Sequence, residues 1–360
     1  MKINIAEPYT DKKIKYKILE VIESRHYVEG RYTKQFEEEF SKYIGVKHAV
    51  TVSSGTSSLF LILKALGIGP GDKIAVPDFT FIATLSQGVL LGAKPVLIDV
   101  DYETMCMDPD DLRRKLDEDV KAVIPVHLFG HPAPMDEIID IAVEYGAYVI
   151  EDAAQAHGAK YRGRRVGSIG DIGYFSLYPS KNLGVYGEGG VITTNDDDLA
   201  ARIRRLKNHG IEDGVVKEFG YNMKFNEINA VVALETLKYL DKWNERRRRN
   251  ALLYNEELSD IDVEIPIEKE YAYHVYNLYT IKSLKRDEIA SELDKEGIGY
   301  GIYYREPLHM LEIVKTLYGN MKLEVSKRLS ERVLSLPVHP FLNPEDIVYI
   351  SKIVKKVVES

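Results

Sequence analysis

Seven short apolar runs, rich in β-branched residues and separated by longer segments of helical period, constrain this chain more than any other feature. They fall at 48–52, 73–76, 95–99, 122–126, 147–150, 173–177 and 191–194. Runs that are apolar throughout, rather than at alternate positions, belong to strands covered on both faces, and helical crossovers between them connect parallel neighbours. The pattern predicts an α/β fold: a large domain whose mainly parallel seven-stranded sheet is sandwiched by helices. In such sheets ligands bind beyond the carboxyl ends of the strands, so the residues just after each run carry the function.

Past Asn222 a long helical pattern over 226–249 places Ile228, Val231, Val232, Leu234 and Leu237 on an apolar stripe and then becomes strongly charged. The boundary is expected there, with a large domain and amino-terminal arm over 1–245 and a smaller α/β domain over 246–360. The latter has a turn at Pro266, a strand at 276–281, a helix at 286–296 and a last helix from Pro344. A chain of 360 residues, 45% of them hydrophobic, can fill two such cores. A net charge of −8 would repel a nucleic-acid backbone. The opening MKINIAEPYTDKKIK has no unbroken apolar stretch, so neither a signal peptide nor a membrane partner is expected, and a cytoplasmic location is. The single cysteine, Cys106, lies in a polar run, can form no internal disulfide and has no second thiol for a metal site.

Three segments immediately after predicted strands carry chemistry together. Ser53-Ser54-Gly55-Thr56-Ser57-Ser58 opens a helical run, where free backbone N–H groups and the positive end of the helix dipole suit an anion and small side chains let a phosphate approach. Asp152, in Glu151-Asp152-Ala153-Ala154-Gln155, is placed to hold a pyridine nitrogen protonated so that the ring accepts electrons. Lys181, in Ser176-Leu177-Tyr178-Pro179-Ser180-Lys181-Asn182, could form a Schiff base with an aldehyde and, once displaced, act as a general base. A phosphate cradle, a pyridinium partner and a Schiff-base lysine describe a site for pyridoxal 5'-phosphate.

Other signals fade. Asp99, Asp101 and Glu103 imitate a calcium loop, but Thr104 stands where that turn needs glycine. The glycines of 67–71 lack the lysine and hydroxyl of a P-loop. His127 and His131 have no third ligand at metal spacing, so no metal is expected. The basic run Arg246 to Arg249 reads as a solvated face or a dimer contact.

The ordered series Glu29-Gly30, Phe36-Glu37, the Ser-Gly-Thr cradle, Pro77-Asp78-Phe79-Thr80-Phe81, Pro125-Val126-His127, Glu151-Asp152-Ala153-Ala154, Gly187-Glu188-Gly189-Gly190, Gly220-Tyr221-Asn222 and Leu336-Pro337 resembles the sugar aminotransferases of the DegT/DnrJ/EryC1/StrS group. These are fold type I pyridoxal-phosphate enzymes, and the resemblance covers nearly the whole chain. It implies that Gly55, Thr56 and Ser176 hold the phosphate, that Phe81 stacks on the ring, that Gln155 lies near the ring hydroxyl and that Asn222 reaches the phosphate of a neighbouring subunit. The last role requires a homodimer with shared active sites. For the sugar nucleotide the resemblance implies Gly30, Tyr32, Lys224 and Tyr304. Lys224 stands where many relatives have arginine, which keeps the charge but loses the bidentate fork.

The implied reaction moves an amino group from an amino-acid donor, L-glutamate in most relatives, to a keto sugar carried as a nucleotide conjugate, as in the biosynthesis of cell-surface polysaccharides. The stretch Tyr178 to Gly184 looks more like members acting at C3 than at C4. Two alternatives remain: a dehydratase of the same group, in which histidine replaces the lysine, and a regulatory protein that binds the cofactor without turnover. Lys181 argues against the first, and the intact cradle and Asp152 against the second.

Overall fold

A computed structural model describes residues 2–360. Its centre is a seven-stranded sheet of β1 (His48–Val52), β2 (Lys73–Pro77), β3 (Lys94–Ile98), β4 (Val120–Val123), β5 (Tyr148–Asp152), β6 (Ile172–Ser176) and β7 (Gly190–Thr194). Their order is β1-β7-β6-β5-β4-β2-β3. Only β7 runs antiparallel to its neighbours, so the sheet is mainly parallel, as expected. The strand predicted at 122–126 begins and ends earlier, because Pro125 leads the chain into the loop at His127.

Alternation along the strands sends neighbouring residues to opposite sides. Ala49, Ala75, Val123, Val149 and Phe175 enter one core, while Val50, Ile74, Ala122, Ile150, Ile172 and Tyr174 enter another. The helix α1 (Lys12–Ser24) and α2 (Arg31–Ile44) contribute to the first, and α3 (Gly55–Ala65) supplies Leu59, Leu61, Ile62 and Leu63 to the second. Helices therefore cover both faces. The helix α4 (Ile82–Leu90) follows β2.

The helical pattern at 226–249 divides into Glu227–Leu237 and Leu240–Leu258. The second helix links two cores: Leu240 packs in that of the large sheet, while Ala251, Tyr254 and Leu258 pack in a third cluster. Residue 245 thus lies within a continuous helix. The third cluster surrounds the antiparallel pair β8 (Tyr279–Lys282) and β9 (Val333–Leu336), with Arg286–Lys295 and Pro344–Glu359 packed around it.

Two local environments differ from what the neighbouring residues suggest. Despite its polar neighbours Cys106 is buried, its Sγ 3.5 Å from the His131 carbonyl oxygen, and burial pushes the thiol up to about 12. The run Arg246 to Arg249 is not one solvated face. Helical period aligns Arg247 with the buried Trp243 and Ala251, and Arg247 is only 5% exposed. Arg248 pairs with Glu268 at 2.6 Å, leaving Arg246 and Arg249 exposed.

Candidate active site

The carboxyl ends of β1, β5 and β6 converge with the start of α4. At the end of β1 the chain turns into α3, capped by Ser54, whose hydroxyl accepts from the Ser57 amide at 3.0 Å. The Ser54 carbonyl takes the Ser58 amide. This cap leaves the amides of Gly55 and Thr56 free for an anion, and the Thr56 side chain is exposed beside them. Ser176, at the end of β6, stands directly beside Gly55. A Cβ built on Gly55 would stand 2.9 Å from the Ser176 Cβ, so only glycine lets helix and strand approach this closely.

Asp152 ends β5 and is 4% exposed. Parallel register sets it beside Tyr174 of β6, with both side chains on one face. The Tyr174 hydroxyl donates to Asp152 Oδ2 at 2.5 Å and that of Thr84 at 3.0 Å, while the Ala154 amide donates to Oδ1 at 3.1 Å. Burial pushes the carboxyl up, and these donors and Lys181 oppose the shift. Tyr174 and Thr84 escaped the sequence reading. The signal for Tyr174 was its alternation with Ser176, two residues on along the same strand face; Thr84 carried no comparable signal.

Lys181 follows β6 in a turn closed by its own amide on the Tyr178 carbonyl, 2.9 Å. Its side chain is partly open, but the amine lies deep enough for desolvation to pull its pKa down to about 8 against the pull of Asp152. It has no ion pair among the described residues. An amine whose pKa is lowered in this way holds far more of its free, nucleophilic form near neutrality than an ordinary lysine does, which suits attack on an aldehyde.

Phe81 caps α4 without a side-chain bond and is 56% exposed, leaving its ring free to cover a flat heterocycle. Tyr304 lies beside it, ring centroids 6.4 Å apart. Gln155 accepts from the Phe129 amide at 2.8 Å and donates to the Tyr304 hydroxyl at 3.4 Å. Tyr304 is held near the sheet by a connection that sequence reasoning missed: buried Asp78 accepts from the His309 amide at 2.7 Å and contacts its Nδ1 at 2.6 Å. Glu151 is likewise structural, accepting from His127 and the amides of Gly167, Ile169 and Gly170. Among the described residues no three such side chains form a metal cluster.

The remaining expected contacts are Asn222, Lys224, Gly30 and Tyr32. Asn222 is exposed, and the next residue, Met223, accepts from the Ser53 amide at 3.0 Å. Lys224 donates to Asn208 at 3.2 Å. The Gly30 amide donates to Glu227 at 2.8 Å, and the Tyr32 hydroxyl bonds Glu20 at 2.7 Å.

Free helix amides beside a position closed to any Cβ, an unpaired deep lysine, a carboxylate on the next strand and an open aromatic ring fit pyridoxal phosphate. Fold and site together are those of a fold type I pyridoxal-phosphate-dependent aminotransferase. The sequence profile described as the DegT/DnrJ/EryC1/StrS aminotransferase family matches residues 8–355, and the chain belongs to that family. It is 39% identical over 337 residues to the UDP-N-acetyl-3-dehydro-alpha-D-glucosamine 3-aminotransferase of Acidithiobacillus ferrooxidans, covering 93% of this chain and 91% of that one. It is 38% identical over 365 residues to a protein of Geobacillus stearothermophilus called pleiotropic regulatory protein, covering 99% and 97%. The solved PLP form of Spr1654 from Streptococcus pneumoniae superposes with a TM-score of 0.94 at 26% identity, covering 100% and 99%.

Proposed function

We propose that the chain transfers an amino group from L-glutamate to a ketone of a nucleotide-linked sugar, at C3 in preference to C4, as a cytoplasmic homodimer with shared sites. The observation that carries this reading is Lys181: a deep, unpaired amine facing the carboxylate of the neighbouring strand at the mouth of a phosphate cradle. The Acidithiobacillus relative, a 3-aminotransferase by name, supports both the sugar-nucleotide class and the carbon. Exposed Asn222 is available to a second subunit. No helix among the described residues is long and apolar enough to cross a membrane.

When bound, the cofactor supplies an aldehyde that takes up the amino group and a ring that draws electrons from the carbon losing its proton. The chain's residues do the rest. Gly55, Thr56 and Ser176 bind the phosphate, Phe81 covers the ring, and Gln155 orients its hydroxyl. Asp152 keeps the ring nitrogen protonated. The Lys181 amine, as a general base, would take the proton from the donor carbon and, in the second half-reaction, would supply one to the sugar carbon. Gly30, Tyr32, Lys224 and Tyr304 are assigned to the sugar nucleotide.

Incubating the cofactor-loaded chain with glutamate should bleach the cofactor's visible band and yield 2-oxoglutarate. A screen of keto nucleotide sugars, with mass spectrometry to locate the amine, reads substrate and carbon together. The Lys181→Ala variant should lose the visible band and all turnover. A variant that still turns over, or a wild-type chain inert to glutamate and every keto sugar, sinks the reading.

A further inference from the structure

The carboxyl ends of β2 and β3 belong to the edge where a sheet of this kind receives ligands, yet both are closed by segments from far along the chain. An aspartate follows each strand and holds the segment that covers it. Asp99, after β3, accepts from the amides of Val325 and Ser326 at 3.0 and 2.9 Å and from the Ser326 hydroxyl at 2.7 Å, at the start of the helix Glu324–Ser330. Asp78, after β2, accepts from the His309 amide at 2.7 Å and from His309 Nδ1 at 2.6 Å, while its carbonyl takes the Leu308 amide at 2.9 Å. A carboxylate only accepts, so Nδ1 carries the proton in this pair. Asp78 is fully buried, and Leu308 packs in the core that holds Ile74 and Val76 of β2.

The two clamps differ in what they hold. Asp99 holds a helix that carries no candidate site residue. Asp78 stands three residues before Phe81, and His309 five residues after Tyr304, so their bond joins the two segments that bring those rings to the site. Tyr304 is boxed in as a result. Its ring lies edge-on to Phe79 with centroids 5.8 Å apart and beside Phe81 at 6.4 Å, and its hydroxyl accepts from Gln155 at 3.4 Å. Burial and the field of Asp152 push the Tyr304 phenol up, so its hydroxyl lies within electrostatic reach of the carboxylate assigned to the ring nitrogen. On its other side the segment is anchored where Gly301 pairs with Ser335 of β9, and the exposed Arg305 and Glu306 lie between the two anchors.

We propose that Asp78 and His309 are positioning residues of the cofactor site: their bond locks the turn of residues 303–310 onto the end of β2 and fixes Tyr304 as a wall of the ring pocket, against Phe81 and Gln155. The inference rests on the reading of that pocket as one for pyridoxal phosphate. Once the clamp is broken, the turn samples positions in which Tyr304 leaves the wall, and the cofactor binds only the fraction of chains that keeps it in place.

Titrating the cofactor-free chain with pyridoxal phosphate, followed by absorbance and by visible-region circular dichroism of the bound ring, reads the wall without any turnover. His309→Phe keeps a buried ring and removes the donor. It should weaken the cofactor about tenfold, the worth of one hydrogen bond to a charged group, and reduce the dichroism of the bound band. If that variant does not fold, His309→Gln, whose amide stands nearer the place of Nε2, should weaken it by about a factor of three or more. His309→Asn, which puts an N–H where Nδ1 was, should bring affinity back to within about twofold of wild type. Asp99→Asn turns one acceptor into a donor facing the helix amides, and it isolates the purely structural effect: Tm should fall while affinity and dichroism stay as in wild type. A folded His309→Phe or His309→Gln with wild-type affinity and dichroism overturns the proposal. So does a His309→Asn that recovers neither, or an Asp99→Asn that loses as much affinity as His309→Phe. A wild-type chain that gains no visible band sinks the pyridoxal-phosphate reading and the clamp's role with it, an outcome distinct from a wild-type band that the variants leave unchanged.

Discussion

At the residue scale, Asp152, the proposed partner of the ring nitrogen, owes its protonation to its neighbours. Burial favours the neutral acid, whereas the hydroxyls of Tyr174 and Thr84 and the Ala154 amide favour the carboxylate. Tyr174→Phe removes the shortest of these bonds. The carboxyl then rises further, and the affinity of the cofactor-free chain for pyridoxal phosphate should fall about tenfold, the worth of one hydrogen bond to a charged group. Equilibrium titration checks this, with an unchanged far-UV spectrum separating it from misfolding. Lys181 gives a prediction in pH. Its folded pKa is lowered to about 8, so the reactive free amine grows in as pH rises to that value. Covalent capture of the cofactor should accelerate about tenfold per pH unit below 8 and level off above it, whereas an ordinary lysine would keep accelerating toward pH 10. Stopped-flow absorbance across pH 6–10 distinguishes the two. Both residues were legible in the sequence because each stands just past an apolar run. Tyr174 was harder to see, since its partner depends on the register between two strands distant in sequence.

At the element scale, the junctions between helices and strands place the site. Gly55 stands at the junction of α3 and β6. An added Cβ would meet the Cβ of Ser176, which cannot swing aside, so Gly55→Ala should push α3 off β6 and weaken cofactor binding about tenfold while leaving most of the fold intact. Dialysis against cofactor-free buffer, followed by absorbance, tests this. The start of α2 depends on a carboxylate from another helix. Glu227 accepts from the amides of Gly30, Tyr32 and Thr33 and from the Thr33 hydroxyl. Glu227→Ala strands these donors in a buried setting and should cost about 3 kcal/mol, read as a lower midpoint in urea. The seven strands could be found from the sequence because burial on both faces leaves an unmistakable apolar run. The break between Leu237 and Leu240 could not, because residues on both sides keep helical backbone angles and the apolar stripe hardly changes. The burial of Arg247 was hidden for a related reason. A run of four arginines suggests a wet surface, and only the packing of Trp243 and Ala251 on the same stripe turns one of them inward.

At the scale of the whole molecule, the proposed sharing of sites between two subunits turns on the surface around Asn222. The hairpin of Ile211–Glu212 and Val215–Val216 leaves both valines exposed, and Phe219 beside it is 96% exposed. A large ring left this open, next to the segment that carries Asn222, suits burial against a second copy. If Asn222 completes the partner's cradle, Asn222→Ala and Lys181→Ala each disable both sites of their own homodimer. Mixing and reassociating the two variants in equal amounts gives hybrids in which one site carries both defects and the other carries neither. With random pairing, half the dimers are hybrids with one intact site of two, so activity should return to about one quarter of wild type. Were Asn222 to serve the cradle of its own chain, every site in the mixture would carry one defect and no activity would return. Sedimentation of the mixed sample shows whether reassociation took place, so the assay distinguishes a shared site from a private one.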